Sequence, residues 1–449
     1  MVRMLRSSPN RRQFLRLGTG VVAGSILPRM AESDEPDVVV IGAGASGIAA
    51  ARTLTEIGLT VTVVEAADRI GGRVHTDMSV FGVPYDMGAH WLHVRKLNPF
   101  VDYALEHGFD VYRAPDDEIL YVGDREATDQ EYAAYGDALN RAYSAIARAG
   151  RQGRDVSAAS VVPKDGPWAE LANMVIGPWS MGKDLDGFSA TDWWNSVDGV
   201  DWYCREGFGA LWAHSAQGVP VELKTPVSKV GWGGQGVEVH TDRGAIKARA
   251  CIVTVSTGVL ANESIRFTPA LPTKKQESFH GISMGLYNHI AFQFRRNFFG
   301  TGDDGYLVYQ LPPSNGGSPK GFGMLTNVGG SNLSLGDVGG GLAQALEQEG
   351  VDGALDFGLS ELRNIFGSTV DKEFVKGHVT TWGQNPWTLG SYASAEPGAQ
   401  HFRAALRAPV GDRIWFAGEA CSPNLPAMVA GAHKSGIDTA KNLVNTLFS

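Results

Sequence analysis

An α/β fold built on a parallel sheet is predicted by a strand, a glycine turn and a helix in immediate succession. Asp37-Val38-Val39-Val40-Ile41 is a continuous apolar run, suited to a strand buried on both faces. Gly42-Ala43-Gly44-Ala45-Ser46-Gly47 follows, then the helical stretch Ile48 to Ile57, which Gly58 stops. A second apolar strand, Leu59 to Val64, ends in Glu65. Gly42 permits the turn, Gly44 lets a pyrophosphate approach the backbone, and Gly47 lets helix and strand pack closely. The helix start offers free N–H groups and a positive dipole to phosphate. Glu65, 21 residues after Gly44, is placed to accept hydrogen bonds from a ribose. The ordered set reads as a dinucleotide site.

Composition sets the frame around that unit. With 449 residues, 43% hydrophobic and 19% charged, the chain has material for two or three domain-sized units and is not intrinsically disordered. Its 57 glycines are close to twice the usual share of about 7% and point to tight turns and close backbone approaches. Net charge is −9, and residues 1–31 hold six arginines and no acid, so the rest carries about −15. That balance argues against nucleic acid as a partner and suits cationic small molecules. Cys204, Cys251 and Cys421 are too few and too scattered for a disulfide framework or a zinc site.

Residues 1–31 read as an export signal. Asn10-Arg11-Arg12-Gln13-Phe14-Leu15-Arg16 precedes the mildly apolar run Leu17 to Leu27, the order of a twin-arginine signal. The run is well short of the roughly twenty residues that span a bilayer. The expected partner is the twin-arginine export machinery and the expected location periplasmic or secreted. A route that carries folded proteins suits one that loads its cofactor in the cytoplasm.

Glu65-Ala66-Ala67-Asp68-Arg69-Ile70-Gly71-Gly72-Arg73 resembles the ExxxRxGGR signature of FAD-containing amine oxidases. Gly411 to Glu419, with Pro426 to Gly436, resembles the C-terminal signature of the same family. By that resemblance Arg73 neutralises the pyrophosphate and Arg69 lies near the adenosine half. Glu419 meets the ribitol–pyrophosphate region, and the Val429 N–H faces the flavin pyrimidine edge. The implied cofactor is FAD, with contacts from Gly42, Gly44, Ala45, Ser46, Gly47, Glu65, Ala66, Arg69, Gly72 and Arg73. Gly88, Ala89, His90, Trp91, Val227, Trp382, Gly418, Glu419, Met428 and Val429 complete the implied set. The implied fold is a two-domain, Rossmann-like amine-oxidase fold with a discontinuous FAD domain over 35–95, 201–275 and 383–449. An α+β substrate domain would come from 96–200 and 276–382.

The middle of the chain supplies coarse elements. Strands are expected over Val219 to Leu223, Ala250 to Ser256, Asn288 to Phe294 and Gly305 to Gln310. Helices are expected over Gln130 to Ala149, Leu342 to Gln348 and Leu355 to Phe366, with Gly339 to Gly341 as a loop. The tryptophans at 168, 179, 193, 194, 202 and 212 are expected mostly in the core, some lining a channel.

Met87-Gly88-Ala89-His90-Trp91-Leu92-His93 resembles the GAHWxH segment of polyamine oxidases, which implies that His93 hydrogen-bonds an amine substrate. Relatives acting on L-amino acids hold a carboxylate with an arginine in this block. His90 and Trp91 stand there instead, against α-amino acids. Trp382 to Tyr392 resembles the substrate-side flavin segment, with Trp382 beside the flavin and Tyr392 presenting its ring to the amine. Monoamine oxidases carry a thioether-forming cysteine here; Ser391 implies non-covalent FAD. Their second cage tyrosine aligns with Met428, so a two-ring cage is not expected. His289 aligns with the family lysine that holds a water at flavin N5. Asp192, Asp198 and Asp201 are the acids considered for a distal ammonium. No metal site is expected.

The implied activity is amine oxidation, closest to polyamine oxidases, with O2 as acceptor and hydrogen peroxide as product. The alternatives are an amine dehydrogenase using a periplasmic carrier, or a catalytically silent flavoprotein.

Overall fold

Buried apolar runs build the sheet that positions the site. In this computed structural model, which describes residues 35–447 except 316, β1 (Val38–Ile41) turns at Gly42 into α1 (Ala45–Glu56), which leads back to β2 (Val61–Val64). β3 (Ala250–Val253) and β4 (Ile414–Phe416) complete a four-stranded parallel sheet in the order β2-β1-β3-β4. Every residue of β1, β3 and β4 is buried, as a sheet covered on both faces requires. The final helix, α2 (Val429–Leu447), packs on α1 so closely that a Cβ on Gly436 would sit 2.1 Å from the Ser46 carbonyl oxygen. The twin-arginine segment lies outside the described residues.

A second, seven-stranded sheet draws on two distant stretches of chain. Its order is Phe374–Val379, Tyr287–Phe294, Leu333–Gly339, Gly323–Thr326, Gly305–Tyr309, Glu118–Val122, Arg125–Glu126. Its pairings are antiparallel except that of Gly305–Tyr309 with Glu118–Val122. Phe292, Phe294, Leu307, Phe322 and Leu362 form part of the apolar cluster under it. Period-two alternation puts Tyr287 and His289 on one face, and the register sets His289 directly opposite Asp337. A short antiparallel pair, Ile282–Gly285 with Tyr392–Ala395, links the two regions and fixes Tyr392.

Three expectations need correction. Val219 to Leu223 forms no strand and makes only the bridge Val64–Glu222, because Pro220 offers no N–H to a ladder. Gly339 to Gly341 is no loop: Gly339 ends a strand and Gly340, with φ of 58°, turns straight into a helix. α1 begins at Ala45 rather than Ile48, since small side chains let its first turn pack beneath the sheet. The helical run Gly340–Phe366 does divide in two, at Gly350.

Candidate active site

The four parallel strands end on one cavity of about 1050 Å³. Gly42 follows β1, Glu65 follows β2, Thr254 follows β3, and Gly418 with Glu419 follows β4; all five line it. Ligands of open parallel sheets bind at such carboxyl ends. The volume reaches the top of the usual range for small-molecule sites, about 300–1,000 Å³.

The glycine turn is held by contact. Gly42 adopts φ of 104°, and a Cβ there would lie 2.6 Å from Thr254 Oγ1. A Cβ on Gly47 would lie 1.9 Å from the Gly42 carbonyl oxygen, so the helix could not seat. Gly47 does not line the cavity, and its contribution is this packing rather than ligand contact. A Cβ on Gly44 would meet nothing closer than 3.9 Å, leaving the backbone open to a ligand.

The polar groups around the turn test what would fit. Ser46 Oγ is buried on the first turn of α1, lines the cavity and has no partner among the described residues. An orphaned hydroxyl beside a free helix N-terminus suits a phosphate. Glu65 accepts from Ala43 N at 2.7 Å and Ala67 N at 2.8 Å, one donor per oxygen, so each oxygen retains capacity for a ribose hydroxyl. Ala45, Ala66, Arg69, Gly72 and Val227 line the same wall, and burial lowers the Arg69 pKa. Arg73 does not stand free: Nη1 donates to Glu419 Oε1 at 2.8 Å and to the Ser391 carbonyl at 2.9 Å. Glu419 also accepts from Ala393 N and Ala427 N, so one carboxylate ties three segments together. Met428, Val429 and Gly418 complete this side. These residues fit a dinucleotide.

The other side of the cavity is aromatic. Gly88, Ala89, His90, Trp91, His93, Trp382 and Tyr392 all line it. Trp382 Nε1 donates to the Met87 carbonyl at 3.1 Å, and a Cβ on Gly88 would press on the Trp382 ring at 3.1 Å. The Tyr392 hydroxyl donates to the Trp179 carbonyl at 2.7 Å. A second ring is present after all: Tyr287, on the sheet strand, stands 5.8 Å from Tyr392 between centroids. It arises from a different position than Met428. Trp179, Trp193 and Trp194 line the cavity, whereas Trp168 and Trp212 are core.

Three histidines sit on carboxyl or carbonyl partners. His93 Nδ1 lies 2.9 Å from Asp201 Oδ1; in the neutral ring this acceptor places the proton on Nδ1 and the lone pair on Nε2. His90 Nδ1 likewise meets Asp86 Oδ2 at 2.8 Å. His289 is buried, with Nδ1 3.2 Å from the Asp86 carbonyl and Nε2 facing Asp337 Oδ1 at 3.5 Å. Both of its ring nitrogens thus face protein groups, where the resemblance has a water-holding lysine. Asp198 and Asp201 line the cavity, but Asp192 does not. Asp192 is buried against Arg403, whose Nη2 donates to it at 2.6 Å, and it accepts from Ala395 N: a structural ion pair. Asp86, Asp337, Tyr287 and Tyr306 escaped the sequence reading; only a knowledge of strand register could have found the last three.

Comparison with known proteins decides the family. The model of the flavin containing amine oxidoreductases matches residues 45–444. The chain belongs to the flavin-containing amine oxidoreductases. It is 31% identical over 459 residues to polyamine oxidase 4 of Oryza sativa subsp. japonica, covering 93% of this chain and 91% of the relative. It is 31% identical to polyamine oxidase 2 of Arabidopsis thaliana, over 91% of this chain and 88% of the relative. Among solved structures, cyclohexylamine oxidase from Brevibacterium oxydans IH-35A superposes with a TM-score of 0.77 at 23% identity, covering 92% of this chain and 100% of that one. Putrescine oxidase bound to putrescine gives 0.75 at 22% identity, over 91% and 99%. The fold is that of FAD-dependent amine oxidases, and the cofactor of this flavin-containing oxidoreductase is FAD.

Proposed function

We propose that this flavoenzyme oxidises a di- or polyamine, with O2 as electron acceptor. The observation that carries the reading is one cavity joining a dinucleotide turn to an aromatic wall of Tyr287, Tyr392 and Trp179, with Asp198 and the His93–Asp201 pair also on its lining. Bound FAD supplies the two-electron acceptor: a hydride leaves the carbon beside nitrogen, water hydrolyses the resulting imine to aldehyde and amine, and O2 becomes hydrogen peroxide.

The chain's own residues do the rest. Ring faces attract an amine cation by about 0.5–2 kcal/mol. His93, oriented by Asp201, offers its Nε2 lone pair to a substrate N–H. Asp198 adds negative charge for a second ammonium. Ser46, Glu65, Arg73 and Glu419 hold the diphosphate and ribose portions, and Trp382 and Tyr392 border the reacting end. We divide the chain between FAD and substrate as 35–95, 201–275 and 383–449 against 96–200 and 276–382. Peroxide assays with putrescine, spermidine, spermine and cyclohexylamine test the reading; peroxide from the polyamines is expected, and flavin bleaching without peroxide would favour the dehydrogenase.

Two further outcomes follow. Acid-denatured protein should release all its FAD into the supernatant, because Ser391 Oγ donates to the Tyr287 carbonyl at 2.7 Å and has no thiol to form a thioether. Flavin left on the pellet would contradict this. We also propose export through the twin-arginine machinery: changing Arg11 and Arg12 to lysine should retain the protein in the cytoplasm, and unimpaired export would show the pair is not read.

A further inference from the structure

Two buried polar atoms face each other among the residues that line the cavity beside its tyrosines. His289 Nε2 and Asp337 Oδ1 are 3.5 Å apart, and neither has a hydrogen-bond partner among the described residues. A buried pair of acceptors would repel and leave two groups unsatisfied, so one of them must carry a proton. A ring this deeply buried is held neutral, and its single proton is on Nδ1, which donates to the Asp86 carbonyl at 3.2 Å, so Nε2 is the acceptor of the pair. The other carboxyl oxygen is already committed: Tyr306 donates to Asp337 Oδ2 at 2.6 Å.

We propose that Asp337 is a positioning residue of the active site: a neutral carboxylic acid whose Oδ1–H donates to His289 Nε2 while Oδ2 fixes the Tyr306 phenol. The His289 ring is then held from both sides, and the acid that holds it also holds Tyr306 of the cavity lining. The groups facing the pair are Tyr287, Tyr306, Tyr392, Tyr203, His90 and Asp86. None of these six is a lysine or arginine, so no permanent cation among them favours a carboxylate. Burial acts the same way on both partners, raising Asp337 to about 7 and lowering His289 to about 4. Between those values both groups are uncharged; above the upper one the acid ionises, the shared hydrogen bond is lost and an anion stands beside the tyrosines.

The proposal deepens the amine-oxidising reading and rests on it only for the cavity's role. Its test needs no turnover: 15N-histidine-labelled holoenzyme is titrated by NMR, with the His289 signal assigned from His289→Gln. At pH 6 the ring should be neutral with Nε2 unprotonated, and the Nε2 shift should show one inflection near 7. In Asp337→Asn, whose amide N–H makes the same donor bond, the pH 6 shift should persist and the inflection vanish. Tyr306→Phe removes a donor that lowers the Asp337 pKa, so its inflection should move to higher pH. The pH profile of anaerobic flavin reduction should lose the matching break in Asp337→Asn. A doubly protonated His289 ring at pH 6, or an inflection unmoved by either variant, would overturn the assignment; if the Asn variant does not fold, Tyr306→Phe decides. Amine oxidation can fail with this pair intact, and the pair can fail with oxidation intact.

Discussion

Glu419→Ala is expected to yield a protein largely free of FAD and markedly less stable than the parent. The carboxylate is buried and ties Arg73 to the backbone at Ala393 and Ala427, segments more than 300 residues apart from Arg73. Removing one member of a buried ion pair costs about 3–5 kcal/mol; the lower end applies here because the Arg73 side chain keeps 24% of its exposure. Arg73 would then carry an uncompensated charge in the cavity wall, and the turn before α2 would lose its anchor. Thermal unfolding and the ratio of flavin to protein check both parts. A stable yellow variant would mean that Glu419 neither braces the wall nor shapes the site.

His93→Ala is expected to slow anaerobic flavin reduction roughly ten- to a hundredfold, from a lost hydrogen bond of about 1.5–3 kcal/mol to a charged or polarised substrate. FAD content should stay at the parent level, because the side chain hydrogen-bonds Asp201 and none of Ser46, Glu65, Arg73 and Glu419. Asp201→Asn should slow the same step less, by freeing the ring to take the other tautomer. Loss of flavin from His93→Ala would place the histidine on the cofactor instead.

Local physics explains what could be read in advance. The strand, turn, helix and acid around Gly42 and Glu65 are encoded within thirty residues, and the structure brings them to the cavity. The segments around Arg73, His93, Trp382 and Glu419 carry enough local pattern to be placed on the same wall although they are far apart in the chain. What stayed hidden depends on pairing between distant segments. Asp192 reads as an acid available to a substrate until Arg403, 211 residues later, is seen to neutralise it. The strand expected at Val219 to Leu223 fails at Pro220, whose missing donor outweighs its apolar neighbours. Asp337 carries no sequence signal at all, because its meaning comes from standing opposite His289 in an antiparallel register. Tyr287 supplies a second ring for the same reason.

Mixing the purified, oxygen-free protein with putrescine or spermidine and following the flavin absorbance tests the central claim most directly. The account predicts that the yellow colour bleaches within the time of mixing and steady reaction, faster with a polyamine than with an α-amino acid, and returns when air is admitted. A flavin that stays oxidised with every amine, yet bleaches with a chemical reductant, would contradict it.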